Sequence, residues 1–434
     1  MSYRVESYQI NPGTSAWTEC ERLCFKSKNL YNYANYIVRQ AFLKKDKSGK
    51  YLNNFDLYKL LKSHDCYTSM PAKLAQSVLI QLHQNWKSFF SACKEYKKNP
   101  TKFLGPPKPP HYKDKNGRNS VTFNTQVYSK TALRQNLIKL SSLSFLTELR
   151  TFEHIDRDGV VTYKFDQNIR DITLIPFNDC YKIIVKYLDM TQKTIIQNNI
   201  CAGIDLGLNN LAAIATNNQQ LPSLLINGRH LKSINQFYNK EKAKLQLKLD
   251  TSTSKRGHKR IQEEIHKLTR KRNNKIKHEL HQASNMIVNQ LSAANVSRLV
   301  IGKNDGWKQE TNMGKRNNQN FANIPHAKLI EMLRYKWERL GGRFETTEES
   351  YTSKCSFLDN EVIGKHTTYM GKRNRRQFVS NLGFEINADI NGAANILRKV
   401  VNNAWASWSN AELIEGFVVS PPRVTPGESC KTKH

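Results

Sequence analysis

Apolar residues recur along this chain with two different periods, and the places where the period changes divide it. Residues 3–10 alternate apolar and polar, which predicts a short strand. From about Ala16 to Tyr96 the period becomes helical. LYNYANYIVRQAFL brings Tyr33, Ile37 and Phe42 near one face, and LAQSVLIQLHQNWKSFFSACKEY carries a stripe through Leu79, Leu82, Trp86 and Phe90. These aromatics are expected to be helix core. The basic run KKNPTKF and the segment GPPKPPHYKDKNGR then break the helices and predict a linker. Between Val121 and Tyr187 the runs VTFNTQVY, LIKLSS, VVTYKF, ITLIPF and YKIIVKYL are short, with hairpin spacing. They predict a small antiparallel barrel or sandwich. The first strand can join it, which makes the helical block an insertion between barrel strands.

A second unit is expected from about Asn199. CAGIDLGLNNLAAIAT reads as an apolar strand holding one acid, Asp205, then a glycine turn and a second apolar strand. Residues 229–290 are helical, with KRGHKR expected as a turn between two helices. LVIGKNDGWKQ begins as a buried strand and turns at Gly302. A helix follows from about His326 to Leu340, ended by Gly341 and Gly342. RFETTEES predicts a strand, Tyr351 to Phe384 is polar and irregular, and INADINGAANILRKVV is a helix with a small-residue face at Ala393 and Ala394. The tail beyond Ala406 is expected to be loosely structured. No internal repeat or low-complexity run is present.

Charge narrows the function. The chain has 434 residues, 68 Lys and Arg against 36 Asp and Glu, and a net charge of +32. Such an excess repels itself unless a polyanion is near, so nucleic acid is the leading partner. An anionic membrane surface is the alternative, but no amphipathic anchor, lipidation motif or apolar window of about 20 residues supports it. The start, MSYRVESYQI, lacks the apolar core of a secretory leader. Over Arg229–His281, sixteen Lys and Arg face five acids, a bias that favours phosphate contact over a merely solvated face. The eight cysteines form no C-x-x-C pair, so neither a zinc ribbon nor a disulfide framework is indicated, and a reducing compartment is implied. Cys20 and Cys24, four apart on a helix, read as packing.

Hydrolysis of a phosphodiester with divalent metals needs carboxylates converging from separate elements. An acid inside an apolar strand is costly unless paired or metal-bound, and Asp205 is such an acid. Asp389, at a strand-to-helix junction beside small residues, is the second; taken alone it can equally be a helix cap. Together, in a basic chain, they favour an RNase H-like metal site.

These segments, in this order, resemble the TnpB/Fanzor family of transposon-associated RNA-guided DNA endonucleases. The resemblance covers roughly residues 3–400. It rests on LYNYANYIVRQAF, PAKLAQSVL, GPPKPPHYK, GIDLGLNNLAAIAT, IGKNDGWKQ, NFANIPHAKLIEML, EESYTSKCSFLDNE and INADINGAANIL. It implies a multidomain α+β architecture. An antiparallel β-barrel wedge domain (1–12 and 110–198) would carry an inserted helical recognition domain (13–109). An RNase H-like (RuvC) nuclease domain (199–350 and 385–405) would carry a target-nucleic-acid-binding insertion (351–384), followed by a flexible tail (406–434).

The resemblance implies a catalytic Asp, Glu and Asp holding two Mg²⁺ ions. Asp205 and Asp389 match the aspartates, but Gly302 stands where the glutamate usually ends its strand. Part of the family, Fanzor proteins included, carries the glutamate before the TS-K motif instead. Glu349 is therefore the expected third ligand and Glu348 the alternative, since alternation lets only one face the site; Glu345 and Glu361 are weaker candidates. Most relatives also carry a four-cysteine zinc ribbon in the insertion. Here that segment holds Cys355, with His366 as one more donor, so no structural zinc is expected. Lys372, Arg373, Arg375 and Arg376 are expected to meet the DNA strand entering the site, and Lys255, Arg256, Lys259 and Arg260 to contact nucleic acid. The implied partners are a guide (omega) RNA, one protein per RNA, and target double-stranded DNA with a short adjacent motif. A Fanzor would work in the nucleus and a TnpB in the cytoplasm or nucleoid. The rivals are a nuclease-dead guided repressor and a basic RNA-binding protein without target DNA.

Overall fold

The computed structural model describes residues 2–43, 52–134, 137–148, 154–155, 161–162, 169–189, 196–303, 324–406, 408, 412 and 421–426. The chain divides into two compact units, Met1–Thr191 and Gln192–His434.

In the first unit, β1 (Ser2–Ile10) pairs antiparallel with β8 (Cys180–Asp189) along its whole length, from Ser2↔Asp189 to Ile10↔Tyr181. With β2 (Val121–Phe123) and β7 (Ile169–Phe177) they form one antiparallel sheet in the order β1-β8-β7-β2. Short ladders pair β3 (Leu137–Lys139) with β4 (Leu146–Glu148) and β5 (His154–Ile155) with β6 (Val161–Thr162), and a short helix, α5 (Lys130–Arg134), precedes β3. Among the described residues the sheet is open, not the closed barrel expected. Between β1 and β2 the chain runs through α1 (Ser15–Leu43), α2 (Asn54–Leu61), α3 (Asp65–Thr68) and α4 (Ala72–Lys98).

Helix α4 buries Leu74, Val78, Leu79, Leu82 and Trp86, close to the stripe read from sequence. The buried face of α1 is Leu30, Tyr31, Ala34 and Val38, offset from the predicted one. Phe42 is 47% exposed, although its ring lies 5.5 Å from that of Trp86. The proline-rich segment is not a free linker. Asn35 and Asn32 on α1 donate to the carbonyls of Pro110 (3.0 Å) and Lys113 (2.8 Å), giving acceptors with no secondary-structure partner their bonds.

The second unit is built on a six-stranded sheet in the order β13-β12-β9-β10-β11-β17. β9 (Cys201–Leu206), β10 (Asn210–Thr216) and β11 (Leu224–Asn227) form an antiparallel meander. β12 (Arg298–Gly302) then runs parallel to β9, and β13 (Arg343–Thr347) parallel to β12. A meander followed by two parallel strands on its first-strand side is the RNase H-like arrangement expected. The last strand, β17 (Arg423–Val424), comes from the tail expected to be flexible and pairs parallel with β11.

Helices cover both faces, which is why the strands read as continuous apolar runs. On one face Ala202, Ile204, Leu299 and Ile301 share a core with Leu280 and Ile287 of α7 (Lys255–Ala293) and Leu333 of α8 (His326–Arg339). On the other, Cys201, Ala213 and Val300 pack with Ala393, Ile396 and Leu397 of α9 (Ala388–Val400). α6 (Arg229–Thr251) packs along α7.

KRGHKR is not a turn. It opens α7, because Ser254 caps that helix by accepting a bond from the Gly257 N–H (2.9 Å), and the reversal falls on residues 252–254. The segment expected to be irregular contains a small sheet of β14 (Lys372–Asn374), β15 (Gln377–Val379) and β16 (Glu385–Asn387). The loop from 304 to 323, which holds most of IGKNDGWKQ, lies outside the described residues. No described helix is long and apolar enough to cross a membrane.

Candidate active site

Strand parity decides where Asp205 points. Ala202, Ile204 and Leu206 belong to the α7/α8 face, so Asp205 faces α9. There a Cβ on Gly392 would lie 2.7 Å from Asp205 Oδ2, so a residue without a side chain is what lets α9 pass over the carboxylate. On β12 Val300 faces α9, and Gly302, two residues on, faces the same way. Gly302 pairs with Thr347 in β13, and Glu349 lies two residues beyond that. A Cβ at position 302 would lie 2.5 Å from both Cγ and Oε1 of Glu349. The space beside Gly302, where the sequence resemblance implies a glutamate, is filled by the Glu349 side chain arriving from just past the end of β13, and glycine makes the room.

Glu349 is held from behind. The Thr352 hydroxyl donates to its carbonyl (2.8 Å), and Lys399 on α9 donates to the carbonyls of Glu348 (2.9 Å) and Ser350 (3.2 Å). Asn391 and Asn395, one turn apart on α9 and fully buried, donate to the carbonyl of Cys355, and Asn395 also to that of Thr352. Sequence reasoning missed these two, although the signal was present: polar residues four apart on an otherwise small, buried helix face.

Asp389 is the second residue of α9, but it is not the cap. Asn387 caps the helix, its Oδ1 accepting from the N–H groups of Asp389 (3.0 Å) and Ile390 (3.4 Å). The Asp389 carboxylate instead accepts from Asn210 Nδ2 (2.7 Å) and from Arg373 Nη2 (3.1 Å). Asn210 is a third residue the sequence reading missed.

Three acids from three elements therefore meet. The Asp205 carboxyl is pushed well above the usual carboxylate range, first by loss of hydration, then by the charges of Glu349 and Asp389, with Arg373 opposing. Burial pushes the Glu349 carboxyl up to about 7. Crowded carboxylates short of water suit a hard divalent cation, which would restore the ionised forms.

The other candidates do not join them. Glu348 is exposed. Glu345 pairs with Arg298 (2.7 Å) and Arg343. Glu361 is buried and accepts from the N–H groups of Ser356 (2.7 Å) and Met370 (3.0 Å). Cys355, Glu361 and His366 lie with ligand atoms within 4.8 Å of one another. Even so, the Cys355 thiol approaches the carbonyls of Val362 and Gly364 (both 3.6 Å), and His366 Nε2 lies 2.6 Å from the Val362 carbonyl. A four-thiolate ribbon does not fit a segment with one cysteine, and hydrogen bonds converging on the buried Glu361 tie these loops together.

The basic candidates fall in two places. Lys372 and Arg373 lie on β14 and the exposed Arg375 and Arg376 form its turn, with Arg375 in the left-handed region (φ +53°). Of the four, Arg373 reaches the acids. Lys255, Arg256, Lys259 and Arg260 are exposed on the first turns of α7. They sit where α6 ends, about 34 Å along that helix from Arg229, and do not approach the acids.

Two family models match parts of the chain. Residues 183–308 match the OrfB_IS605 family, described as "Probable transposase", and residues 326–396 match the "Cas12f1-like, TNB domain" family. The TnpB-like protein ORF457 of Acidianus two-tailed virus is 25% identical over 449 residues, covering 98% of this chain and 92% of its own. The chain is thus similar to a TnpB-like protein over nearly its whole length. The two family matches include β9, β12 and the first nine residues of α9, and with them Asp205, Gly302 and Asp389. Among solved structures, a Cas12f1–sgRNA–target DNA complex is similar at 14% identity and TM-score 0.49, covering 87% of this chain and 81% of its own. The mini-RNA-guided endonuclease CRISPR-Cas phi3 is similar at 11% identity and TM-score 0.47, covering 97% and 94%.

Proposed function

We propose that this chain is a TnpB-family, RNA-guided DNA endonuclease whose metal-binding acids are Asp205, Glu349 and Asp389. The observation that carries the reading is the side chain of Glu349 lying over Gly302, beside Asp205. A Cβ at position 302 would close the space that Glu349 fills, and would also meet Ile396 Cδ1 (2.6 Å). The three carboxylates would hold two Mg²⁺ ions, which supply an activated water and stabilise the leaving oxygen of the phosphodiester. The chain's own part is to hold the acids in register. β9 fixes Asp205, Thr352 fixes the backbone at Glu349, and Asn210 with Arg373 fixes Asp389.

Arg373, Arg375, Arg376 and Lys372, on a hairpin beside the acids, would guide the phosphates of the strand being cut. Lys255, Arg256, Lys259 and Arg260 would hold phosphates farther off. The first unit, a sheet with helices inserted between its first two strands, would hold the guide RNA and its heteroduplex by backbone and shape and read the adjacent motif. One protein per RNA is the expected stoichiometry.

The test is plasmid cleavage by the protein–guide RNA complex. Asp205→Ala should lower the rate by about three orders of magnitude while guide RNA and target binding survive. A wild-type complex that binds its target in Mg²⁺ and never cuts would make the protein a guided binder instead.

A further inference from the structure

The C-terminal strand reaches the candidate active site. β17 is anchored by Leu225↔Arg423 and Ile226↔Val424 pairing, by the Leu225 N–H donating to the Pro422 carbonyl (3.0 Å), and by Asn227 Nδ2 donating to the Thr425 hydroxyl (3.2 Å). This anchoring delivers Arg423 Nε to Asn210 Oδ1 (3.1 Å). The same Asn210 donates its Nδ2 to Asp389 Oδ2 (2.7 Å). An amide turns freely by half a rotation unless both of its ends are committed, and here Arg423 holds the oxygen so that the nitrogen must face the acid. Asn210 is buried, and it sits at a register shift between β10 and β11, where a bulge can re-aim a side chain.

We propose that Arg423 is a positioning residue for the metal site: through Asn210 it fixes the carboxylate of Asp389, which makes the C-terminal strand a working part of the nuclease centre. The inference rests on the metal-binding reading above and adds to it a residue 213 positions from Asn210 in sequence. Two further observations agree. Partial burial first, then the charges of Arg229 and Arg376, disfavour the Arg423 charge, while Asp389 favours it. The backbone carbonyl of Arg376 accepts from the Ala388 N–H (2.8 Å), next to Asp389. Positive charge gathered near this acid would suit the phosphates of a bound DNA strand.

The experiment is Mn²⁺ binding to the full-length chain, followed by the paramagnetic resonance signal of the free ion. It compares wild type with Asp205→Asn, Arg423→Ala, Arg423→Lys, Asn210→Ala and the Arg423→Ala/Asn210→Ala pair. Residues that orient a ligand cost about 10–100-fold in metal affinity when removed. Arg423→Ala and Asn210→Ala should each weaken Mn²⁺ binding within that range, the pair no more than either alone, and Arg423→Lys should recover part of the loss. β17 is held through backbone bonds, so Arg423→Ala should leave the unfolding midpoint nearly unchanged. Wild-type affinity in Arg423→Ala, with binding lost in Asp205→Asn, would overturn this inference and leave the metal reading standing. Additive losses in the pair would overturn it too, because the relay requires both residues to act as one. No Mn²⁺ binding by wild type would overturn the metal reading and this inference together.

Discussion

Glu349 shows how a residue's role and its cost are one fact. Its carboxyl, pushed up to about 7 by burial, lies in a space that a side chain at position 302 would close. An acid whose folded-state value is raised binds its proton more tightly in the folded chain than in the unfolded one. The Glu349 contribution to stability without metal is therefore greatest below the ordinary value near 4.5, falls as pH rises, and levels off above about 7. In chelator, Glu349→Gln should leave the unfolding free energy almost unchanged at pH 4.5 and raise it by about 1–3 kcal/mol at pH 8, as read by denaturant melts. Added divalent metal should reverse the order at pH 8, stabilising wild type and not the variant. Asp205 was legible in the sequence because an acid in an apolar strand has few innocent explanations. Alternation and a family pattern single out Glu349 over Glu348 in the sequence; in the structure Glu348 is exposed and Glu349 lies over Gly302. Asn210 and Arg423 were not legible, since what joins them is a strand register that closes across 213 residues.

At the scale of elements, α9 organises the site. Its buried asparagines hold the turn after β13, its Gly392 passes over Asp205, and its second residue is Asp389. Asn395→Ala removes two hydrogen bonds to buried carbonyls and should destabilise the chain by about 2–4 kcal/mol, measured by chemical denaturation. A variant folding with unchanged stability would mean those carbonyls find other donors. Elements were readable where one face was apolar, as in α4, or where both were, as in β12. The hairpin β14–β15 was not. Lys372, Arg373 and Asn374 are all exposed, so that strand shows no alternation to read. KRGHKR, expected as a turn, is helical because the Ser254 cap lets Gly257 stand in the first turn of a long helix.

At the scale of the molecule, the excess of +32 is the property a polyanionic partner would balance. Replacing Lys255, Arg256, Lys259 and Arg260 together by Gln should lower the salt slope of nucleic-acid affinity by about 3 to 4, if each meets one phosphate. Because the four stand well away from the acids, the cutting rate of already bound target should be unchanged. A slope equal to wild type would make that helix end a solvated face. The central claim is that this chain keeps a complete acid triad although Gly302 stands where an acid is expected. Its most direct test is the single-turnover rate of target-plasmid cleavage in Mg²⁺ for wild type, Glu349→Gln and Glu348→Gln. The geometry predicts a loss of about three orders of magnitude in Glu349→Gln and a rate near wild type in Glu348→Gln. Undiminished cutting by Glu349→Gln, or loss confined to Glu348→Gln, would contradict it.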